Sequence, residues 1–197
     1  MNNISEAIND GIKSGIYNAW DLNFKFHSND EYFFNAEYIL TVKIAESIAD
    51  NLREIAINHE VELESKTNKV TIKNVGFKNR RNRSKPARNG KVDIAIYVND
   101  YLFSVIEVKA FNCVNHVYEK DVIRCAQILI GGLNDGAYSC KEAYVIHCFS
   151  GEDNIIPINN LDDRIIQSAE QIALIERDLP DEDGYSRYAK ILKLKLF

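Results

Sequence analysis

Residues 91–109 constrain the fold of this chain more than any other stretch. They read Lys-Val-Asp-Ile-Ala-Ile-Tyr-Val-Asn-Asp-Tyr-Leu-Phe-Ser-Val-Ile-Glu-Val-Lys. Two apolar, β-branched runs meet at Asn99-Asp100, a pair that tolerates the left-handed backbone a tight hairpin needs. Each run also carries charge where a buried strand should have none: Asp93 in the first, Glu107 and Lys109 in the second. A carboxylate inside a buried strand is costly unless it is paired, hydrogen-bonded or bound to a metal. Side chains alternate faces along a strand, so Glu107 and Lys109 share one. With the two-residue loop Asn99-Asp100, regular pairing sets Asp93 opposite Ile106 and sends the two acids to opposite faces. With the three-residue loop Asn99-Asp100-Tyr101, Asp93 stands opposite Glu107. One face then holds Val92, Ile94, Ile96 and Val98 with Val108, Ile106, Ser104 and Leu102. The other holds Asp93, Ala95 and Tyr97 with Glu107, Val105 and Phe103. A slip of one residue scrambles both faces, so the pattern predicts the three-residue loop.

The rest of the chain supplies layers for this hairpin. Residues 30–57 read as a long amphipathic helix, with Phe33, Leu40, Ile44 and Ile48 on one stripe and Ser28 or Asp30 as its cap. Glu37 falls on that stripe, where an acid is unexpected. Residues 117–130 read as a helix stopped by Gly131-Gly132, with Val122, Ile123, Ala126 and Ile130 on its apolar side. Arg124 and Gln127 can reach the acid-bearing face from it. Residues 142–149 read as a strand, 160–177 as a helix with acids at its start, and 191–197 as a half-buried strand. Residues 3–16 read as a short leading helix, followed by Trp20, Phe24 and Phe26 packing against the body. The order helix, strand, hairpin, helix, strand implies an α/β fold with a mixed central β-sheet flanked by α-helices.

With 197 residues, 46% of them hydrophobic, the chain is expected to form a single domain, 1–197, with a substantial core. It has no apolar run long enough to span a membrane and no secretory signal, which points to the cytoplasm. Cys113, Cys125, Cys140 and Cys148 form no Cys-x-x-Cys pair, which argues against zinc or an iron–sulfur cluster and for buried free thiols. His27, His59, His116 and His147 show no metal-ligand spacing, although His116 can approach the acid-bearing face. The formal net charge is -5, yet Lys73, Lys78, Arg80, Arg81, Arg83, Lys85, Arg88 and Lys91 follow one another with no acid between them. Basic charge concentrated next to the Asp93 strand suggests phosphate contacts from Arg80, Arg81, Arg83, Lys85 and Arg88.

Asp93, thirteen intervening residues, then Glu107-Val108-Lys109 resembles the PD-(D/E)XK nuclease signature, with Val92 where the name-giving Pro would stand. The resemblance spans most of the chain, from the first long helix to the strand near residue 149. It implies a restriction-endonuclease-like core and a hydrolase that cuts phosphodiester bonds of DNA, in phage defence, restriction or mobile-element biology. It implies Mg2+ or Mn2+ held by Asp93, Glu107, the main-chain carbonyl of Val108 and an acid of the first core helix, for which Glu37 is the candidate. Lys109 would orient or deprotonate the attacking water and stabilise charge, and Arg124 and Gln127 would lie near the metal or phosphate. Two carboxylates with waters and phosphate suit Mg2+, which keeps much of its hydration. The alternatives are an inactive nuclease-like protein that binds nucleic acid or a protein partner, and an RNA-directed nuclease. With no appended recognition domain, specificity would come from loops, a homodimer or a partner subunit.

Overall fold

The computed structural model describes residues 2–26, 37–66, 91–110, 115–131, 140–150, 161–174 and 187–197. Helices α1 (Asn2–Phe26) and α2 (Glu37–Glu54) come first, then strand β1 (His59–Lys66). The hairpin β2 (Lys91–Val98) and β3 (Tyr101–Lys109) follows, then helix α3 (Asn115–Gly131) and strands β4 (Glu142–Ser150), β5 (Ile165–Ala173) and β6 (Arg187–Leu196). The strands make one six-stranded sheet in the order β1-β2-β3-β4-β6-β5. The β3–β4 pair is parallel and the other pairs are antiparallel. The parallel pair encloses α3 in sequence, as a crossover connection requires. The protein is thus α/β, with a mixed sheet between the α1–α2 pair on one face and α3 on the other.

Helical periodicity builds the first layer. Ile8, Ile12, Ile16 and Trp20 recur every four residues on α1, and Leu40, Ile44, Ile48 and Leu52 do so on α2; all eight are buried. Gly11 and Gly15 let the two helices touch backbone to backbone. A Cβ on Gly15 would stand 2.4 Å from Ile44 Cα, and one on Gly11 2.7 Å from Ile48 Cα. The leading helix is longer than residues 3–16, because Ala19 and Trp20 continue the buried stripe and neither Pro nor Gly interrupts residues 17–26. The Phe24 and Phe26 side chains, and Phe33, Ser28 and Asp30, lie outside the described residues.

The hairpin departs from the expected loop and reaches the expected register. Val98 pairs with Tyr101, so the turn has two residues, and Asn99 and Asp100 both take positive φ (50° and 68°). That is the conformation of the two-residue turn that follows the natural twist of paired strands. The pairing then shifts: Tyr97 faces Leu102, but Ile96 faces Ser104. Phe103 is the extra residue of a β-bulge. Beyond it the pairs Ala95–Val105 and Ile94–Ile106 continue, which brings Asp93 opposite Glu107. The bulge also exchanges two side chains relative to the expectation: Phe103 packs on the α1–α2 side and Leu102 on the α3 side. Val92 joins the α3-side core as well.

Residues 161–174, the described part of the expected helix 160–177, form no helix. Residues 165–173 are β5, the edge strand paired along its length with β6. The helix-forming composition there is a weak preference that pairing with an otherwise open strand overrides. The acids read as a helix start make a turn instead: Asp162 accepts from Arg164 N at 3.1 Å and Nε at 2.7 Å, and its carbonyl accepts from Ile165 N. On α3, Ile123 is 44% exposed, and the buried stripe is Tyr118, Asp121, Val122, Cys125, Ala126, Ile128 and Leu129. Among the described residues no helix is long and apolar enough to cross a membrane.

Candidate active site

Six charged side chains from four elements meet where β3 ends. Asp93 comes from β2, Glu107 and Lys109 from β3, Asp121 and Arg124 from α3, and Glu37 from the first turn of α2. Alternation puts Asp93, Glu107 and Lys109 on the α3 side with Ala95 and Val105, and α3 turns Asp121 and Arg124 toward them. Glu37 belongs to the opposite layer and reaches Lys109 over the end of the sheet.

Lys109 is the hub. Its Nζ donates to the Val108 carbonyl at 2.8 Å and lies 3.3 Å from Glu37 Oε1, 3.4 Å from Asp121 Oδ2 and 3.9 Å from Asp93 Oδ2. Arg124 makes the second link: its Nη1 donates to Glu107 Oε1 at 2.6 Å and to the Lys91 carbonyl at 3.0 Å. Its Nη2 lies 3.2 Å from Asp121 Oδ1. Asp93 Oδ2 accepts the Val108 N–H at 2.7 Å, which fixes the carboxylate against the neighbouring strand. Val108 therefore serves the site through both backbone groups while its side chain packs in the α1–α2 core.

Burial strains this charge balance. Glu107 is 1% exposed, and desolvation followed by the Asp93 charge pushes its carboxyl up to about 9, with Arg124 pulling the other way. Burial also raises Asp121, against the pull of Lys109 and Arg124. Desolvation works against the Lys109 ammonium, but the charges of Asp93, Asp121 and Glu37 outweigh it and hold its pKa above the ordinary lysine value. Arg124 is likewise raised, burial being overcome by Glu107. Four carboxylates face two cations, so the cluster holds more acid than its own bases neutralise.

The donor set has the chemistry of a hard divalent cation: carboxylates and a main-chain carbonyl, without thiolate or imidazole. Among the described residues, however, no three His, Cys, Asp or Glu side chains stand together as an assembled metal cage. Lys109 and Arg124 lie between the acids, and the Lys109 ammonium takes the Val108 carbonyl. The residues fit Mg2+ or Mn2+ as a set of oxygens whose internal cations must give way.

Of the residues expected from sequence, Asp93, Glu107, Val108, Lys109, Glu37 and Arg124 are brought together. Glu37 is not on the buried part of its stripe: its side chain is 45% exposed at the helix end. Gln127 is not brought in. It is half-buried one turn beyond Arg124, and no hydrogen bond joins it to the cluster among the described residues. The side chain of His116 and all of Arg80, Arg81, Arg83, Lys85 and Arg88 lie outside the described residues. Asp121 is a site residue that the sequence does not single out: it lies off the apolar side read as Val122, Ile123, Ala126 and Ile130, and only the packing of α3 turns it, 3% exposed, toward the sheet. Cys125, Cys140 and Cys148 are buried free thiols, as expected. No family model, curated protein or solved structure matches the chain.

Proposed function

We propose that this protein is a divalent-cation-dependent nuclease of the PD-(D/E)XK type, with a restriction-endonuclease-like core, that hydrolyses phosphodiester bonds of DNA. The observation that carries the reading is that Asp93 and Glu107 meet just past the last hairpin pair, Ile94–Ile106, in the register the bulge sets, with Lys109 two residues on and 3.9 Å from Asp93. Asp93, Glu107 and the Val108 carbonyl would hold Mg2+ or Mn2+, with Glu37 reaching the same place from α2. When bound, such an ion supplies Lewis-acid stabilisation of phosphate charge and a more acidic water.

The protein's own groups do the rest. Lys109, kept protonated by its acids, donates to a water or a phosphate oxygen and stabilises charge that builds in the transition state. Asp121, buried between the two cations, holds the Lys109 ammonium and the Arg124 guanidinium in place. Arg124, partly exposed beside Glu107, presents a planar cation suited to phosphate. The Val108 N–H keeps the Asp93 carboxylate aimed at the site.

The test is incubation of the purified protein with plasmid and linear DNA in Mg2+, in Mn2+ and in EDTA. Cleavage that needs the metal, and that Asp93→Ala, Glu107→Gln and Lys109→Ala each lower by about a hundredfold or more, is the expected result. Equal activity in EDTA, or in the Lys109 variant, overturns it. One observation favours a second reading, a non-cutting nuclease-like protein that binds nucleic acid: Arg124 and Lys109 already neutralise part of the acid cluster. That reading expects binding without cleavage in every metal. An RNA substrate in the same assay separates an RNA-directed enzyme.

A further inference from the structure

Past the acid cluster, the α3 face of the sheet changes chemistry. Lys109 of β3 lies beside His147 of β4, and His147 beside Lys190 of β6; the next rung pairs Phe149 with Tyr188. Residues two apart on a strand share a face, so His147 and Phe149 point with Val145 to the α3 side, as Lys190 and Tyr188 do with Leu192. Where α3 packs on these strands they use Ala143, Val145, Leu192 and Leu194. At the end where Lys109 emerges they switch to rings and cations.

The rings form one run. Tyr118 of α3 lies 5.6 Å from His147, His147 lies 6.0 Å from Phe149, and Phe149 stacks on Tyr188 at 5.5 Å with the planes 28° apart. Exposure rises along it: Tyr118 and His147 are buried, while Phe149, Tyr188 and Lys190 are half-buried. Tyr118 and His147 thus anchor a platform whose outer half meets solvent. Lys190 flanks it, two strand spacings from Lys109, or about 10 Å.

We propose that this band is a track for a single-stranded nucleic-acid segment lying against the carboxylate site, with a base on the Phe149–Tyr188 platform and a phosphate on Lys190. The proposal rests on the nuclease reading and extends it to the form of the substrate. Three features point to this occupant: the band is continuous with Lys109, it carries cationic charge in a chain of net charge -5, and it offers flat rings. Stacking needs an open base face, which a duplex hides and a single strand presents, and it tolerates any sequence.

The experiment uses the full chain carrying Asp93→Asn, in EDTA, so that bound strands survive. The probes are a short oligothymidylate and its oligouridylate counterpart, each with one 2-aminopurine, and a blunt duplex of the same length. Binding of either single strand should quench the 2-aminopurine. Tyr188→Leu and Phe149→Leu should each weaken it about tenfold and remove the quenching, because a stacking ring is gone. Tyr188→Trp should restore both, and Lys190→Gln should reduce the salt slope on single strands by about 0.7. A parent that binds single strands without quenching overturns the proposal and needs no variant that might misfold. Leucine variants that keep parental affinity and quenching overturn it too, with the nuclease reading intact. A wild-type chain that neither binds nor cuts any nucleic acid overturns both.

Discussion

Glu107 lies opposite Asp93, accepts from Arg124 at 2.6 Å, and is pushed up to about 9 by burial and then by the Asp93 charge. The unfolded chain ionises this group at its ordinary value of 4.5, while the folded chain keeps the proton until about 9. Between those pH values the unfolded state binds fewer protons, so the contribution to stability falls as pH rises through that window. In EDTA the melting temperature of the wild type should therefore decline from pH 5 toward pH 9 more steeply than that of Glu107→Gln. Near pH 8 the variant should be more stable by on the order of 1 kcal/mol, while its metal-dependent cleavage disappears. Thermal melts across pH for both proteins decide this, and parallel curves would mean that Glu107 is ionised in the folded apoprotein. The group is legible in sequence because a lone Glu between Ile106 and Val108 has no bland place in a buried strand. Asp121 is harder to see because Arg124, three residues on, makes the pair look like an ordinary surface ion pair. Only packing shows that this side of α3 faces the sheet.

Among the elements, the hairpin's sequence leads through the wrong turn to the right pairing. Sequence constrains how the polar and apolar faces align, and a two-residue turn plus a bulge satisfies that constraint as well as a three-residue loop. The bulge has no mark of its own, since Phe103 and Leu102 are both apolar and either can face either core. β5 is illegible for a different reason: Ile-Ile-Gln-Ser-Ala-Glu-Gln-Ile-Ala carries little strand signal, and its conformation comes from β6. The α1–α2 packing is legible as two apolar stripes, but not its closeness, which Gly11 and Gly15 set. Gly15→Ala places a Cβ 2.4 Å from a backbone atom of Ile44, and backbone cannot swing aside as a side chain end can. Alanine favours a helix by about 1 kcal/mol over glycine, so an exposed site would gain stability. Here the forced separation of the helices should dominate, with a net loss of ~1–3 kcal/mol in denaturant unfolding. A stabilised Gly15→Ala protein would show that the two helices do not pack this closely.

At the scale of the molecule, the α/β class is legible from the order of the elements, because a hairpin followed by a helix and a further strand leads to a mixed sheet. The strand order β4-β6-β5 is not, since β4 and β6 meet over a long separation that local pattern does not record. Charge is the other whole-molecule property. The net value of -5 repels a polyanion at long range, so attraction has to be local. Arg80, Arg81, Arg83, Lys85 and Arg88 are the densest basic run in the chain, and they lead into the strand that carries Asp93. If they bind phosphate, replacing all five with Gln should weaken duplex DNA binding whatever its sequence. The slope of log K against log salt should also flatten by about 0.9 for each phosphate that the chain no longer neutralises. Thermal stability, followed in parallel, should barely move if the run serves only to bind phosphate. The sharper contrast is with Lys190→Gln, which should change the slope on single strands and leave duplex binding to the basic run. Titrations of both variants against both forms at several salt concentrations separate the two surfaces. A five-fold Gln variant with the parental slope on duplex DNA would remove that run from the interface.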